Sequence, residues 1–340
     1  SATIMAFGDK LYNEYRSKWI KYAYGLLAMN LNHYSNKANY DPAAVIDAVN
    51  KSFTSNADDL LLTYTNTGND DSNFMGPRRQ NFQNYRQTEF IVRLMNGTQF
   101  GGVVDPRMSR MLATNPGGTY TGVNINSTYN ATAMDAATYP HNMWNYKANI
   151  GGGLPTMYLF HDMSRYPAMT YSQLQFIKAE ADYKLGQKAT ALTAYKNAIE
   201  SHIDFVNARN TDNVQLATQI TATEKAAFLA NPLIIPTDPN NLNLSMIMSQ
   251  KYIAQWGWGH YETWMDLRRY NCTGFEQGTT CQVFLGFTLP TSLFGDNNGK
   301  TVQRIRTRYN SEYVWNRAEL DKIGGLATDY HTVPLWITQP

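Results

Sequence analysis

Two neighbouring helical patterns in the middle of the chain restrict its fold more than any other feature of the sequence. Thr170, followed three positions later by Gln173, forms a capping box that predicts the start of the first helix. Gly186 interrupts the pattern and suits a tight turn. Small and apolar residues recur at helical spacing on both sides of this glycine, namely Ala179, Ala181, Tyr183, Leu185, Ala191, Leu192, Tyr195, Ala198 and Ile199. The sequence therefore predicts two antiparallel helices over 170–185 and 188–207.

This helix pair has the layout of a tetratricopeptide repeat, in which small residues at the crossing let two helices approach closely. Tyr183, Leu192 and Tyr195 are expected to fill the face that the two helices share. The chain contains one clear copy, and an isolated repeat must pack against other elements to cover its outer faces. Further helices are therefore required to complete the core.

Three other segments carry helical signals. Apolar residues near the beginning of the sequence recur every three or four positions and predict a long helix over 5–34. Asp41 followed by Pro42 is typical of an N-cap and a first helical position, and predicts a helix over 42–53. A last long helix is predicted over 241–270 from its apolar positions.

Glycines and short extended patterns interrupt these helices. Gly257 and Gly259 favour a kink or a split within the last long helix. Residues 60–64 predict one short strand, and less than about a tenth of the chain is expected to be strand. The predicted fold class is therefore mainly α, with tetratricopeptide-repeat-like helix pairs, an irregular loop-rich lobe and few short strands.

The middle of the chain lacks a regular period over long stretches. Residues 113–153 are rich in Gly, Asn, Thr and Tyr, and irregular segments of this length inside compact proteins are usually functional. We interpret residues 1–340 as a single unit. Its predicted parts are a helical scaffold (1–65 and 170–270), a loop-rich ligand lobe (66–169) and an irregular C-terminal covering segment (271–340).

The composition indicates what kind of ligand such a protein would bind. Only 16% of the residues are charged and 13% are aromatic, with 23 Tyr, and the net charge is +2. Because no run of Lys or Arg exceeds a pair, binding to nucleic acid is not expected. No apolar stretch reaches the length of a membrane span. Hydroxyls, amides and aromatic rings suit a neutral ligand held by stacking and hydrogen bonds.

The sequence offers few candidates for catalysis. Glu262 and Asp266 lie four positions apart on a predicted helix, as the paired carboxylates of a hydrolase could. We favour ion pairs of these carboxylates with Arg268, Arg269 or a helix terminus instead. The six His residues are scattered without the spacing of metal ligands, so no metal site and no cofactor are expected.

The two cysteines, Cys272 and Cys281, lie nine positions apart in a loop rich in Gly and Thr. This spacing favours a small disulfide loop formed in an oxidising compartment, and two free thiols are the alternative. A disulfide would argue against an intracellular function.

Four motifs, taken in order along the chain, are similar to those of one protein family. The first two are Asp105-Pro106-Arg107-Met108 and Tyr171-x-x-Leu174-x-Phe176-Ile177-x-Ala179-Glu180-Ala181. The third is Ser249-Gln250-Lys251-Tyr252-Ile253-Ala254-Gln255 with Glu262-Thr263-Trp264-x-x-Leu267-Arg268-Arg269, and the fourth is Arg304-Ile305-x-x-Arg308-Tyr309-Asn310-x-Glu312 with Asn316. Together they resemble the signature segments of the SusD/RagB family of outer-membrane nutrient-binding lipoproteins. Asn310 departs from that pattern, since the family usually has Pro there.

The resemblance implies a protein that is lipid-anchored on the outer face of a Bacteroidetes-type outer membrane. It would capture oligosaccharides, or in some branches peptides, and would form a lid on a SusC-like TonB-dependent transporter. Family members begin with a lipoprotein signal, an acylated Cys and earlier repeat helices, none of which occurs in this sequence. We therefore expect that an N-terminal part of the parent protein, including its anchor, is missing from this chain.

The residues expected to bind the ligand are aromatic side chains of the irregular lobe, namely Phe74, Tyr120, Tyr129, Trp144 and Tyr146. An exposed ring can stack on the apolar face of a pyranose, and neighbouring Asn and Thr side chains can bind its hydroxyls. Trp256, Trp258 and Trp264 lie at helical spacing and are expected in the core instead.

The sequence thus favours a binding protein without catalytic activity. Two other functions stay open at this point: a glycan-active hydrolase on a helical scaffold, and a repeat-type adaptor for protein interactions. The ligand class is also open between a glucan, a chitin- or mannan-like chain, and a peptide.

Overall fold

The computed structural model of the chain describes residues 9, 11–13, 15–126, 137–305 and 309–339. Its α-helices in these ranges are α1 (Arg16–Asn32), α2 (Pro42–Lys51), α3 (Glu89–Met95), α4 (Met108–Met111), α5 (Tyr171–Lys184), α6 (Lys188–Arg209), α7 (Ala222–Leu229), α8 (Leu244–Gln255), α9 (His260–Arg269) and α10 (Arg317–Lys322). Two strands, β1 (Leu60–Leu62) and β2 (Tyr166–Met169), pair antiparallel in this part of the chain. Helix accounts for 44% and strand for 5%, which confirms the predicted mainly α fold class. Within the same ranges, no helix is both long enough and apolar enough to cross a membrane.

Capping residues locate the helix starts as predicted. Thr170 Oγ1 accepts a hydrogen bond from the backbone N–H of Gln173 at 3.2 Å, at the start of α5. Asp41 Oδ1 accepts one from the backbone N–H of Ala44 at 3.1 Å, at the start of α2. Gly186 makes the turn between α5 and α6 at φ +81°, where a residue with a Cβ would be strained. The predicted helix pair is therefore confirmed.

The face that α5 and α6 share is filled by aromatic and small residues. Tyr195 is 0% exposed, and its ring lies against Phe176 with ring centroids 6.3 Å apart. Tyr183 and Leu192 are half-buried at the margin of this face. Tyr183 is less buried because its hydroxyl donates to the carboxylate of Glu276, beyond the helix pair.

The first helix is shorter at its start than predicted. α1 begins at Arg16, and the residues just before it form a turn in which Asn13 has φ +46°. Asp9 Oδ1 accepts hydrogen bonds from the backbone N–H groups of Leu11 (3.0 Å) and Tyr12 (2.9 Å). The prediction of a helix across these residues is wrong, because Asp9 and Asn13, which has a left-handed backbone conformation, form a turn instead. The predicted beginning of the helix lies outside the described residues.

The long helix predicted over 241–270 is split into α8 and α9. Gly257 has φ +88°, which an α-helix cannot contain. Gly259 follows, and a Cβ at this position would lie 2.8 Å from the Cβ of Gln255. Both glycines are therefore required where the chain turns between the two helices, as their positions in the sequence indicated.

A buried cluster of charges joins four of these helices. Arg269 Nη1 of α9 lies 2.7 Å from Glu180 Oε1 of α5, and Asn32 Nδ2 of α1 donates to Glu180 Oε2 at 2.9 Å. Lys251 Nζ of α8 lies 2.8 Å from Asp266 Oδ2, and Asp266 also pairs with Arg269. Burial alone would raise the pKa of Glu180, but the charges of Arg269 and Lys251 hold that pKa well below its ordinary value. Glu180 is therefore ionised inside the protein.

A second buried arginine connects the irregular lobe to the helix pair. Arg107, just before α4, is 0% exposed, and its Nε donates to Asp105 Oδ1 at 2.9 Å. Its Nη1 contacts His202 Nδ1 of α6 at 2.9 Å, and its Nη2 donates to Gln250 of α8. Burial, together with the guanidinium of Arg107, lowers the pKa of His202 well below its ordinary value. The imidazole is therefore neutral and accepts this hydrogen bond.

The C-terminal segment runs against the ends of the scaffold helices. The ring of Trp336 meets that of Tyr34 edge-on, with centroids 4.9 Å apart. Asn36 Nδ2 donates to the carbonyl of Ile337 at 3.2 Å. These contacts attach the segment to the end of α1. The division of the chain into a scaffold, a ligand lobe and a covering segment stays a prediction.

Cys272 and Cys281 are free thiols, so the disulfide that their spacing favoured is wrong. The loop between them closes through its backbone instead. The N–H of Glu276 donates to the carbonyl of Cys281 at 2.8 Å, and Phe275 forms an antiparallel bridge with Gln282. Burial raises the pKa of both thiols, which keeps them protonated at neutral pH.

Tyr195→Ala is expected to lower the free energy of unfolding by about 2–4 kcal/mol, because it leaves a cavity in the helix pair. Chemical denaturation measures this loss. Tyr261→Ala is the matched control, since Tyr261 is 70% exposed, and it should change stability by less than about 0.5 kcal/mol. A similarly small loss for Tyr195→Ala would contradict the packing described for the helix pair.

Arg269→Met is expected to cost about 3–5 kcal/mol, because it leaves Glu180 and Asp266 buried without their partner. Lys322→Met is the matched control. It removes an ion pair with Glu319 whose side chains are 67% and 60% exposed, so its stability should stay near that of the unaltered chain. Equal losses for both variants in urea titration would show that the buried cluster has no special importance.

Candidate ligand-binding surface

The structure brings together three of the five aromatic residues that were predicted to bind a ligand. Trp144 Nε1 donates to the carbonyl of Met75, the residue after Phe74, at 2.7 Å. The backbone N–H groups of Trp144 and Tyr146 both donate to Asn142 Oδ1, at 3.1 Å each. The segments that carry Phe74, Trp144 and Tyr146 therefore lie side by side.

The other two predicted residues are not part of this group. Tyr120 is half-buried and packs against the main core, beside Ser109 and Arg110 of α4. Burial raises the pKa of its hydroxyl. Tyr129 lies outside the described residues, so its predicted contribution stays a prediction.

Trp144 does not provide the exposed stacking surface that was predicted for it. Its side chain is 0% exposed and belongs to the main hydrophobic core. Because its indole N–H is bound to Met75 and its backbone to Asn142, the loop itself buries the ring. The expectation that Trp144 stacks on a ligand is therefore wrong, although the residue supports the segment that carries Phe74.

Three aromatic side chains form an exposed surface in this part of the lobe. We call Phe74, Phe82 and Tyr85 the aromatic ridge. Phe74 is 55% and Tyr85 60% exposed, with Phe82 half-buried between them. Ring centroids are 6.1 Å apart for Phe74–Phe82 and 4.9 Å apart for Phe82–Tyr85. The guanidinium of Arg79 lies 5.7 Å from the centre of the Phe74 ring.

Asp162, which is buried, fixes the loop that carries the ridge. Its Oδ1 accepts the backbone N–H of Arg78, its Oδ2 accepts that of Gly153, and its carbonyl accepts that of Asn73, each at 2.8 Å. A Cβ at Gly76 would lie 2.4 Å from Asp162 Oδ1, so only glycine fits there. Asp162 thus holds the segment 73–78, which carries Phe74, beside Gly153.

The ridge can bind the apolar face of a sugar ring in water. Exposed aromatic rings held in fixed positions supply contact area at little entropic cost. Sequence reasoning selected Phe74 but not Phe82 or Tyr85, although all three lie in the same polar loop. Their aromatic character amid polar neighbours was the signal that could have identified them.

A cleft of about 1030 Å³ is lined by residues that begin at Thr88, three positions after Tyr85 in the sequence. We call it the α3 cleft, because one wall is α3 and the facing walls are the segments 121–126 and 286–291. Tyr139 and Phe287 contribute aromatic surface, and Tyr252 of α8 also lines it. Nine of its other lining residues are Thr or Asn, and they lie beside apolar residues such as Val92, Ile125 and Leu289.

The two carboxylates considered for catalysis are engaged in other contacts. Asp266 is buried and pairs with Lys251 and Arg269, as predicted from its spacing to the arginine. Oε2 of Glu262 on α9 lies 2.9 Å from Nε2 of His33, the residue after α1. Burial opposes ionisation of Glu262, but the contact with His33 lowers its pKa. Among the residues in the described ranges, no cluster of His, Cys, Asp or Glu could hold a metal ion.

The fold places the chain among helical-repeat proteins that carry an irregular lobe. Residues 1–281 match the model of the SusD-like_2 family, described as "Starch-binding associating with outer membrane". This chain belongs to the SusD-like family, as the four motifs indicated. No curated protein matches it.

Several solved structures have the same fold. A SusD/RagB family protein from Bacteroides thetaiotaomicron has a TM-score of 0.64 and 22% identity, over 98% of this chain and 67% of its own. A SusD homologue from Bacteroides fragilis has a TM-score of 0.69 and 17% identity, over 99% of this chain and 72% of its own. A chitin-binding protein has a TM-score of 0.61 and 18% identity, over 97% of this chain and 67% of its own. At such identities the likeness shows the fold alone, and this chain spans 67–72% of the length of these neighbours.

Trp144→Ala is expected to lower the free energy of unfolding by about 3–5 kcal/mol, because it empties a fully buried site. Thermal melting followed by circular dichroism measures this change. Tyr85→Ala is the control, since this ring is 60% exposed and its removal should leave the melting temperature nearly unchanged. A Trp144→Ala variant that melts with the unaltered chain would contradict the buried position of this residue.

Proposed function

We propose that this chain captures oligosaccharides on the aromatic ridge and passes them on without altering them. The ridge is the observation that carries this proposal. Phe74 and Tyr85 are more than half exposed, while Phe82 between them rests on the buried ring of Phe160, with centroids 6.2 Å apart. A fixed, exposed aromatic surface suits the repeated apolar faces of a glycan chain.

Polar groups beside the ridge would bind the sugar hydroxyls. Asn81 Nδ2 donates to the carbonyl of Phe74 at 3.0 Å, which leaves its amide oxygen available to a ligand. Asn84 is exposed and lies between Phe82 and Tyr85 in the sequence. Stacking with a few hydrogen bonds on an open surface gives modest affinity, with a Kd in the micromolar to millimolar range.

Family membership supports the ligand class and the location. The family description names starch binding and association with the outer membrane, and one neighbour in fold is a chitin-binding protein. We extend this to a lipid-anchored position on the outer face of the membrane. Delivery to a SusC-like TonB-dependent transporter follows as the proposed role, because a captured oligosaccharide must then cross that membrane.

A glycan-active hydrolase is the second candidate function. It would need two free carboxylates across a sugar-binding cleft. Asp266 is buried in ion pairs and Glu262 contacts His33, so neither is available for proton transfer to a ligand on the ridge. This supports binding over hydrolysis. A disulfide would have argued against the protein-interaction adaptor. Because the two thiols are free, that argument does not apply.

The proposed function is tested by calorimetric titration of the chain with malto-, chito- and manno-oligosaccharides, together with an assay for released reducing ends. Binding of at least one series without release of reducing ends is expected. Phe74→Ala and Tyr85→Ala should each weaken that binding by about tenfold or more, because each removes a contact surface.

Tyr261→Ala is the matched control, since it removes a tyrosine that is 70% exposed and lies on α9, outside the ridge. It should bind as the unaltered chain does. Binding that is unaffected by both ridge substitutions would contradict the assignment of the site. Release of reducing ends would favour the hydrolase. If only peptides gave a heat of binding, the ligand would be a peptide and not an oligosaccharide.

A further inference from the structure

The α3 cleft and the aromatic ridge are formed in part by adjoining segments of the chain. Tyr85 of the ridge and Thr88 of the cleft are three positions apart in the chain. Their Cα atoms can therefore be separated by at most about 11 Å. An oligosaccharide that stacks on the ridge has a second, concave surface within reach.

The walls of the cleft are held in place by close packing. A Cβ at Gly122 would lie 2.3 Å from the carbonyl carbon of Thr88, so glycine is required there. The N–H of Glu89 donates to the carbonyl of Val123 at 3.1 Å, and the N–H of Val123 to that of Gln87 at 2.9 Å. The loop after Gly122 is therefore fixed on the first turn of α3.

The opposite wall is tied to the same loop. Asn126 Oδ1 accepts hydrogen bonds from the backbone N–H (2.7 Å) and the Oγ1 hydroxyl (3.0 Å) of Thr291. These contacts span the cleft at one end. The cleft thus has a defined shape along the part that the structure describes.

Arg93 lines this cleft with a solvent-exposed side chain, and Glu89, which carries the opposite charge, lines it too. Its side chain crosses Gly286, where a Cβ would lie 2.6 Å from Arg93 Nε. Among the described residues, its guanidinium has neither a hydrogen bond nor an ion pair, in contrast to Arg107 and Arg269. Glycine at position 286 leaves the room that the guanidinium occupies. A guanidinium in this state can bind a carboxylate through two parallel hydrogen bonds.

Tyr252 adds a hydroxyl donor to the lining. Its ring packs edge-on against Phe90, with centroids 4.9 Å apart, and Phe90 packs in the same way on Phe287 at 5.2 Å. No described residue binds the Tyr252 hydroxyl. Burial raises its pKa to about 12, so the hydroxyl keeps its proton and can donate it to a ligand oxygen.

The negative charge of Glu89 limits where an anion can lie. Glu89 is one turn before Arg93 on α3, and its Oε2 accepts a hydrogen bond from Asn124 Nδ2 at 3.0 Å. Because it is held toward the 121–126 loop, a bound carboxylate would avoid that side of the cleft. The space bordered by Arg93, Tyr252 and Phe287 is the part that suits an anion.

We propose that the α3 cleft is a subsite for a sugar unit that carries a carboxylate, such as a uronic acid. Arg93 would pair with the carboxylate, Tyr252 would donate to a ring or hydroxyl oxygen, and Phe287 would contact the apolar face. Apart from Glu89 and Arg93 the lining residues are uncharged, and the hydroxyl and amide side chains among them favour a saccharide over a peptide, namely Thr88, Asn96, Thr121, Thr138 and Thr288. This proposal rests on the proposed function in oligosaccharide capture.

The test compares acidic tetrasaccharides with their neutral counterparts by calorimetric titration. The probes are tetragalacturonate and tetraglucuronate, each beside its methyl ester, which keeps the ring and removes the charge. The unaltered chain is expected to bind at least one acid about tenfold more tightly than its ester, as one charge-assisted pair would give. Arg93→Gln should abolish this preference without lowering the melting temperature, because the guanidinium has no partner to lose.

Arg317→Gln is the control for net charge, since it removes the same charge from the exposed start of α10. It should keep the preference for the acid. The proposal is overturned if neither acid binds better than its ester, or if Arg93→Gln keeps the preference. It is also overturned in favour of a peptide subsite if only peptides with a free C-terminal carboxylate depend on Arg93.

Failure of this proposal is separable from failure of the proposed function. If neutral oligosaccharides bind through Tyr85 while the acids show no preference, capture on the ridge stands and the acidic subsite is wrong. If neither neutral nor acidic oligosaccharides bind, both are wrong.

Discussion

Arg269 holds the helices of this protein together from the inside. Its guanidinium is fully buried and lies 2.7 Å from Glu180 of α5, while it also pairs with Asp266 of α9. Asn32 of α1 and Lys251 of α8 bind the same two carboxylates, so four helices share one buried cluster. Because a buried charge that loses its partner is costly, this cluster restricts how the helices can sit against one another.

The break between α8 and α9 connects this scaffold to the ligand-binding surface. Gly257 lies against Phe160, since a Cβ there would be 3.2 Å from Phe160 Cζ. The neighbouring ring of Trp256 packs on Phe160 with centroids 5.6 Å apart, and Phe82 of the ridge packs on it at 6.2 Å. The exposed ridge is therefore backed by rings that reach the core. A surface that is already ordered loses little conformational entropy when it binds a glycan.

The sequence predicted those parts of the fold that depend on local interactions. Thr170 and the residues after it predicted the helix pair, because caps and helical periods act over a few positions. Exposure in the loops depends on distant partners, and there the same reasoning failed. The lack of a helical or strand period around Trp144 indicated a surface residue. Its ring is instead buried, with the indole N–H donating to the carbonyl of Met75. Phe74 and Tyr85 carry the same sequence signal, an aromatic residue in a polar loop, but that signal does not distinguish an exposed ring from a buried one such as Trp144.

The central claim is that a fixed ridge of exposed aromatic rings binds the glycan. A crystal structure of the chain soaked with an oligosaccharide that it binds in solution tests this claim most directly. Sugar rings are expected in van der Waals contact with Phe74 or Tyr85, with the Phe82 ring unmoved on Phe160. A glycan bound elsewhere on the protein, for example against Trp264, with the ridge left uncovered, would contradict it.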